Sequence, residues 1–341
     1  MSTSLLTRST TPLPHTAASA ALRFRFPRRE DLPHLMELLP KGFRASDAVR
    51  RQLVPLWGRL LAAEARSFTV IEDLERPHPE SIEGFGLSLF VTDRFFEEFC
   101  AAPRPYIPAL CYERMLAGDA IVLAEDQIRA ANSAGGLSII SLDFGLRNYD
   151  LSDARTTQVL MAGSSAFYFF HAGYRIRAIA NEVYGAQSAR YMQAGGFRLA
   201  RDYQRESPAA FEHLSPEEYP YLFLLRREWM QPAVIHPLSQ LFSVPAPRIR
   251  FSRSERRVLE GALLNESDSQ MASRLGVSLS GIKKTWQNIY ARTQRQIPSL
   301  MPAGEGTSER SRGIEKRRHL LDYLRLHLEE LRPIRPGSSN D

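Results

Sequence analysis

The stretch from Ser278 to Arg292, SLSGIKKTWQNIYAR, holds the residues whose types and spacing speak most clearly of chemistry. Coiled as a helix, it sets Ile282, Trp286 and Ile289 at i, i+4 and i+7 along one apolar face. Ser280, Lys283, Lys284, Gln287, Asn288 and Arg292 then lie away from that face, and Ser278 sits where a helix N-cap belongs. Hydroxyls, amides and cations arranged this way reach phosphates and base edges when the helix lies in a major groove. The charge distribution agrees. The formal balance is +6, from 44 basic and 38 acidic residues. Residues 248–296 carry 10 basic against 4 acidic, residues 1–247 carry 26 against 27, and residues 297–341 carry 8 against 7. One segment therefore holds the excess, which is the footprint of a local polyanion contact rather than of a generally basic protein.

Three short helices must position that face. In Phe251–Arg292 the first is lined by Val258, Leu259 and Ala262, and the second by Met271, Ala272 and Leu275, with Ser267 or Asp268 as its cap. Gly276 supplies the positive φ of a sharp turn, Val277 completes the turn, and small Ala272 lets the helices cross closely. Together with Ile282, Trp286 and Ile289 these residues make the core of a helix-turn-helix. The segment resembles the LuxR-type DNA-binding domain of bacterial transcription regulators. The matching residues are Phe251-Ser252, Glu255, Val258-Leu259, Ser267-Asp268, Met271-Ala272, Leu275-Gly276-Val277-Ser278, Ile282-Lys283 and Asn288-Ile289-Tyr290. Gly281 stands where the family has Thr, and Thr285 where it has His. Gly281, taken as a helix-interior residue, is expected to cost up to about 1 kcal/mol of helix propensity. The resemblance implies double-stranded DNA as a partner and a homodimer formed through a following helix. Residues 314–332 fit that helix, with Ile314, Leu320, Leu321, Leu324, Leu328 and Leu331 on one stripe, although the stripe could instead pack on its own domain.

Residues 21–230 alternate strand-like and helix-like segments, the pattern of an α/β domain. Strands are expected at 21–26, 67–74 and 82–92, at LSIISLDFGL, RIRAIANEV and FRLARDYQ, and at 221–226. Helices are expected at 47–63, near 152–173 and at 186–194. This order resembles the GNAT acyltransferase fold, a mixed sheet with flanking helices. The stretch EVYGAQSARYMQAGGFRLARDY, whose Gly196-Phe197 leads straight from helix to strand, carries the likeness, helped by the opening ALRFRFPRREDLPHLMELL. An active member would use acetyl-CoA or another acyl-CoA. LDFGLRNYDLSDARTTQVL lacks the family's Gly-rich phosphate turn and places Asp150 and Asp153 where phosphate would sit. The family's Tyr acid falls on Met192, with Tyr191 one residue off; Glu182 and Tyr184 are the other proton-handling candidates. The expectation is therefore a catalytically degenerate GNAT-like sensor of a small-molecule or protein effector, without cofactor, joined to a DNA reader. Two alternatives stand beside it: an active N-acyltransferase fused to a DNA-binding domain, and an acyl-homoserine-lactone receptor. The Trp/Tyr/Asp pocket pattern of such receptors cannot be placed in this region, whose only tryptophans are Trp57 and Trp229.

Cys100 and Cys111 are too few for a disulfide framework and read as ordinary thiols; no metal-ligand spacing occurs. Residues 1–20 read as a flexible leader, 231–250 as a linker with Pro232, Pro237, Pro245 and Pro247, 297–313 as a loop, and 333–341 as a tail. The uncharged run Thr156–Tyr174 reads as a buried helix rather than a membrane span, and the whole as a cytoplasmic protein.

Overall fold

The computed structural model describes residues 21–61, 66–230, 241–242, 244–301 and 309–335. The expected leader, the first half of the linker, most of the loop and the end of the tail lie outside the described residues. Seven strands form one mixed sheet: β1 (Leu22–Arg25), β2 (Arg66–Asp73), β3 (Ile82–Val91), β4 (Leu137–Leu146), β5 (Ile176–Tyr184), β6 (Arg198–Asp202) and β7 (Pro220–Arg226). Their spatial order is β1-β2-β3-β4-β5-β7-β6. Every neighbouring pair is antiparallel except β4 and β5. That parallel pair needs a crossover, and the helix α6 (Ala154–His171) supplies it.

Helices cover both faces, which is why β3 and β4 read as nearly continuous apolar runs. On one face lie α1 (Leu32–Leu35), α2 (Asp47–Leu60), α3 (Asp93–Ala101) and α4 (Ile107–Leu116). Their core centres on Trp57, Phe68, Phe85, Phe96 and Tyr112. On the other face α5 (Glu125–Asn132) lies near β4, and α6 packs Val159 and Leu160 on Ile71 and Leu146. Gly163 permits that approach, because a Cβ there would come 2.6 Å from the Phe144 ring. α7 (Ala186–Ala194) spans β5 to β6, and two short helices, α8 (Tyr203–Glu206) and α9 (Pro208–Phe211), precede β7. No described helix is long and apolar enough to cross a membrane.

Beyond residue 250 the described residues form helices and no strand: α10 (Arg253–Leu263), α11 (Asp268–Leu275), α12 (Leu279–Gln296) and α13 (Glu309–Leu326). These helices do not hang from a spacer. Leu137, Ile139, Ile176, Ile179 and Leu225 of the sheet share one hydrophobic cluster with Phe251, Val258, Leu324, Leu328 and Leu331. Leu241 and Ile249, from the expected linker, are buried in that same cluster. The Glu330 carboxylate accepts from the Arg248 and Ile249 amides at 2.9 and 2.8 Å and ties the strap down. The leucine stripe of residues 314–332 is likewise used within the chain. Leu320, Leu324, Leu328 and Leu331 are buried, while Ile314 stays exposed. These leucines pack against α10 and the sheet region.

One side chain secures the joint. Arg332, 3% exposed, donates to the Ala172 carbonyl at 2.8 Å and the Phe169 carbonyl at 2.5 Å, and its guanidinium lies 4.8 Å from the Tyr174 ring centre. Asn132 adds a bond across the same joint, its amide donating to the Pro333 carbonyl at 2.9 Å.

Candidate functional site

The three-helix segment is built by its caps. Ser252 caps α10 and forms a capping box with Glu255; Ser267 caps α11 and does the same with Gln270. Gly276 ends α11 in the left-handed region at φ 66°, so the chain reverses without a Cβ penalty. Ser278 then caps α12, its hydroxyl accepting from Gly281 N–H at 3.1 Å. Gly281 thus lies in the first turn of α12 rather than in its interior, so the expected propensity cost falls away at a position whose N–H is satisfied by the cap. Val258, Leu259, Met271, Ala272, Ile282, Trp286 and Ile289 are buried together as the sequence pattern requires, and Leu275 is half-buried against them. Arg317 of α13 covers the Trp286 ring at 4.3 Å and pairs with Asp268 at 3.0 Å.

Val277 corrects the expected core: it is 48% exposed, at the turn rather than beneath it. Ser278, Ser280, Lys283, Lys284, Gln287 and Asn288 form one exposed face of α12, together with Leu279. Arg292 does not join it. Its guanidinium donates to the Glu255 carboxylate at 2.9 Å, a carboxylate that also holds the Ser252 amide, so this cation locks α12 to α10. The outward face keeps two lysines, and α12 contains no Asp or Glu to offset them.

The second site lies where β4 and β5 part. Their pairing runs from Leu137↔Ile176 to Ser141↔Asn181, and both strands then continue unpaired with each other, to Leu146 and Tyr184. A crevice at the carboxyl ends of parallel strands is where α/β sheets place ligands. A bulge in the β3–β4 register, which pairs Leu87 with Asp143 but Ser88 with Ser141, marks the same place. Asp143 accepts a hydrogen bond from the Tyr112 hydroxyl, which in turn accepts from Trp57 Nε1 at 2.9 Å. Burial pushes the Asp143 carboxyl up to about 7, against the pull of that hydroxyl. Glu182 accepts from the Tyr184 hydroxyl at 2.9 Å and from the Tyr106 amide at 2.8 Å, at the N-terminus of α4. Burial raises it to about 7 as well, opposed by the Tyr184 hydroxyl and the Tyr106 and Ile107 amides.

Glu182 and Tyr184 are therefore brought together, while Tyr191 is not. It is exposed on α7, its hydroxyl 3.1 Å from that of Ser164 on α6. Asp143, Tyr112 and Trp57 were missed in the sequence; the available signal was an acid inside the apolar run of β4. Gly42 packs closely on Tyr184, where a Cβ would come 2.3 Å from the ring, and Arg44 pairs with Glu218. His171, on α6, is a structural residue. Its ring nitrogens meet Ser88 Oγ at 2.8 Å and the Phe167 carbonyl at 2.7 Å, and burial pushes it down to about 3.

At the start of α6, Asp153 accepts from the Thr156 amide at 2.9 Å and Asp150 accepts from Ser152; these bonds hold both carboxyls below the usual range. A pyrophosphate placed on that helix N-terminus meets a cap already made by a carboxylate, with a second carboxylate beside it.

No protein-family model matches the chain, and no curated protein matches it. Among solved structures it is similar to a mutant of the spermidine N-acetyltransferase SpeG from Vibrio cholerae. That match has 12% identity, covers 60% of this chain and 94% of that one, and has a TM-score of 0.34. Arabidopsis thaliana NAA60 in complex with acetyl-CoA matches at 14% identity over 60% of this chain and 98% of its own, with a TM-score of 0.33. The spermidine N-acetyltransferase from Vibrio cholerae in complex with CoA and spermine matches at 11% over 60% and 95%, with a TM-score of 0.34. The expectation of no cofactor is corrected on this finding, since the matched structures include acetyl-CoA and CoA complexes. The α6 N-terminus, capped by Asp153 with Asp150 beside it, does not fit a pyrophosphate.

Proposed function

We propose that the chain is a DNA-binding transcription regulator in which a GNAT-like α/β region senses a ligand and a LuxR-type helix-turn-helix reads duplex DNA. The outward face of α12 carries this proposal: Ser280, Lys283, Lys284, Gln287 and Asn288 are exposed together on a helix without acids, behind a turn made by Gly276. A helix so presented can lie in a major groove, with lysines on phosphates and amides on base edges. The α/β region is read as non-catalytic because its two raised carboxyls are occupied by their own chain: Glu182 by Tyr184 and the start of α4, Asp143 by Tyr112.

The test is selection from a randomised duplex pool by the full chain. Enrichment of a short motif, lost in a Lys283→Ala, Gln287→Ala double variant, is the expected result. Absence of any duplex binding overturns the proposal. Acetyl-CoA is the first ligand to titrate, with an acetyl-transfer assay alongside; turnover that falls in Glu182→Gln would make the region an enzyme and replace the sensor.

A further inference from the structure

A cavity of about 100 Å³ opens between the sheet region and the helical region. Its lining is partly aromatic, with Phe26, Phe170 and Tyr174 from the sheet side. Cations lie against these rings, Arg274 4.5 Å from the Phe26 ring centre and Arg332 4.8 Å from that of Tyr174. Arg253, Arg256 and Arg257 line the cavity from α10, joined by Arg274 of α11 and by Arg332. The acids that line the cavity are Glu125 and Glu260.

The pairing leaves positive charge over. Glu125 is shared by Arg253 at 3.1 Å and Arg256 at 3.5 Å, and Glu260 meets Arg332 at 3.4 Å. Arg274 pairs with Glu266 at 2.7 Å while its guanidinium lies 4.5 Å from the Phe26 ring centre. Arg257 is half-buried and has no carboxylate partner among the described residues. Five guanidiniums meet three carboxylates, Glu125, Glu260 and Glu266, in a space partly shielded from water, and the surplus makes a potential that a small anion relieves. At about 100 Å³ it is smaller than the roughly 150 Å³ that encloses a benzene ring, but it opens to solvent, so it can take an acid group inside with the rest of a small molecule at its mouth.

We propose that this cavity binds a small organic anion, a carboxylate or phosphate carried on a ring or short apolar group. The anion meets the arginines of the helical region while its apolar part rests on Phe26 and Phe170 of the sheet region. Because both regions contribute, the ligand favours the arrangement in which they are docked, and so sets how the helix-turn-helix is held. The inference rests on the sensor role proposed above and names the chemistry of the effector. It assigns the arginines to a ligand rather than to the DNA backbone, since they line this cavity and the exposed residues of α12 do not.

The experiment is calorimetric titration of the full chain with phenyl phosphate, with inorganic phosphate as the comparison, at fixed ionic strength. Saturable one-to-one binding of phenyl phosphate is expected, with inorganic phosphate weaker. Arg257→Ala and Arg257→Gln are each expected to weaken phenyl phosphate at least tenfold with an unchanged melting temperature, because no acid loses its partner. Duplex binding by either variant, measured without phenyl phosphate, should equal wild type. Absence of saturable binding, or wild-type affinity in both variants, overturns the proposal. Loss of duplex binding in the variants without the ligand also overturns it and gives Arg257 to the DNA backbone. A wild-type chain that binds phenyl phosphate but no duplex would sink the regulator reading and leave the anion site standing.

Discussion

Replacing Arg332 by alanine should loosen the helical region from the sheet. The Phe169 and Ala172 carbonyls, which accept from this buried guanidinium, would each lose a donor in a place poorly reached by water. Each orphaned carbonyl costs about 1–3 kcal/mol. Loss of the cation over Tyr174 adds about 0.5–2 kcal/mol. Glu260 keeps some exposure, so losing its 3.4 Å ion pair adds at most about 1 kcal/mol. Together these come to roughly 3–9 kcal/mol, a large part of the stability of an ordinary domain. Urea unfolding followed by circular dichroism and by tryptophan fluorescence measures it, because Trp57 reports on the sheet region and Trp286 on the helical region. Wild type should give coincident transitions, and Arg332→Ala should separate them. A variant within about 1 kcal/mol of wild type, with coincident transitions, would refute the idea that this residue secures the joint.

Other outcomes follow from the buried groups. Asp143, raised in the folded chain to about 7 from an ordinary 3.8, favours folding while protonated. Its contribution is complete below about pH 4 and is lost as pH rises through 7, on the order of 4 kcal/mol. The stability of wild type relative to Asp143→Asn should therefore fall between pH 4 and 8; a flat difference contradicts the assignment. His171 has the opposite sign. Pushed down to about 3, it contributes stability above pH 6.5 that is lost as pH falls toward 3, and His171→Gln should blunt acid unfolding in that window. Trp286→Ala should cost about 3–5 kcal/mol and abolish duplex binding by unfolding, visible as lost helicity.

Much of the fold was legible in local pattern. The apolar run 137–146 is β4 with the same limits, and residues 186–194 are α7 with the same limits, bounded by Gly185 and Gly195. Strand alternation and glycine punctuation are local properties, so one sequence suffices to see them. The docking of the two regions is not local. A proline-containing stretch between domains has the composition of a spacer, yet Leu241 and Ile249 within it are core residues. The leucine stripe of residues 314–332 announces an apolar face without naming its partner, and the partner turned out to lie in the same chain. Arg292 shows the same limit from the polar side. Helical spacing placed a cation near the outward face of α12, but Glu255, 37 residues earlier, claims it. Asp143 hid inside an apolar strand, where a lone acid looks like noise until Tyr112 and Trp57 are seen to hold it.

The most direct measurement is the salt dependence of duplex DNA binding by wild type, Lys283→Ala and Lys284→Ala, read by fluorescence anisotropy. If α12 lies against DNA, wild-type affinity should fall steeply with salt, and each lysine on a phosphate should take about one unit from the slope. A wild-type chain that binds no duplex at low salt, or folded variants identical to it in affinity, slope and sequence preference, would remove α12 from any DNA interface and contradict the account.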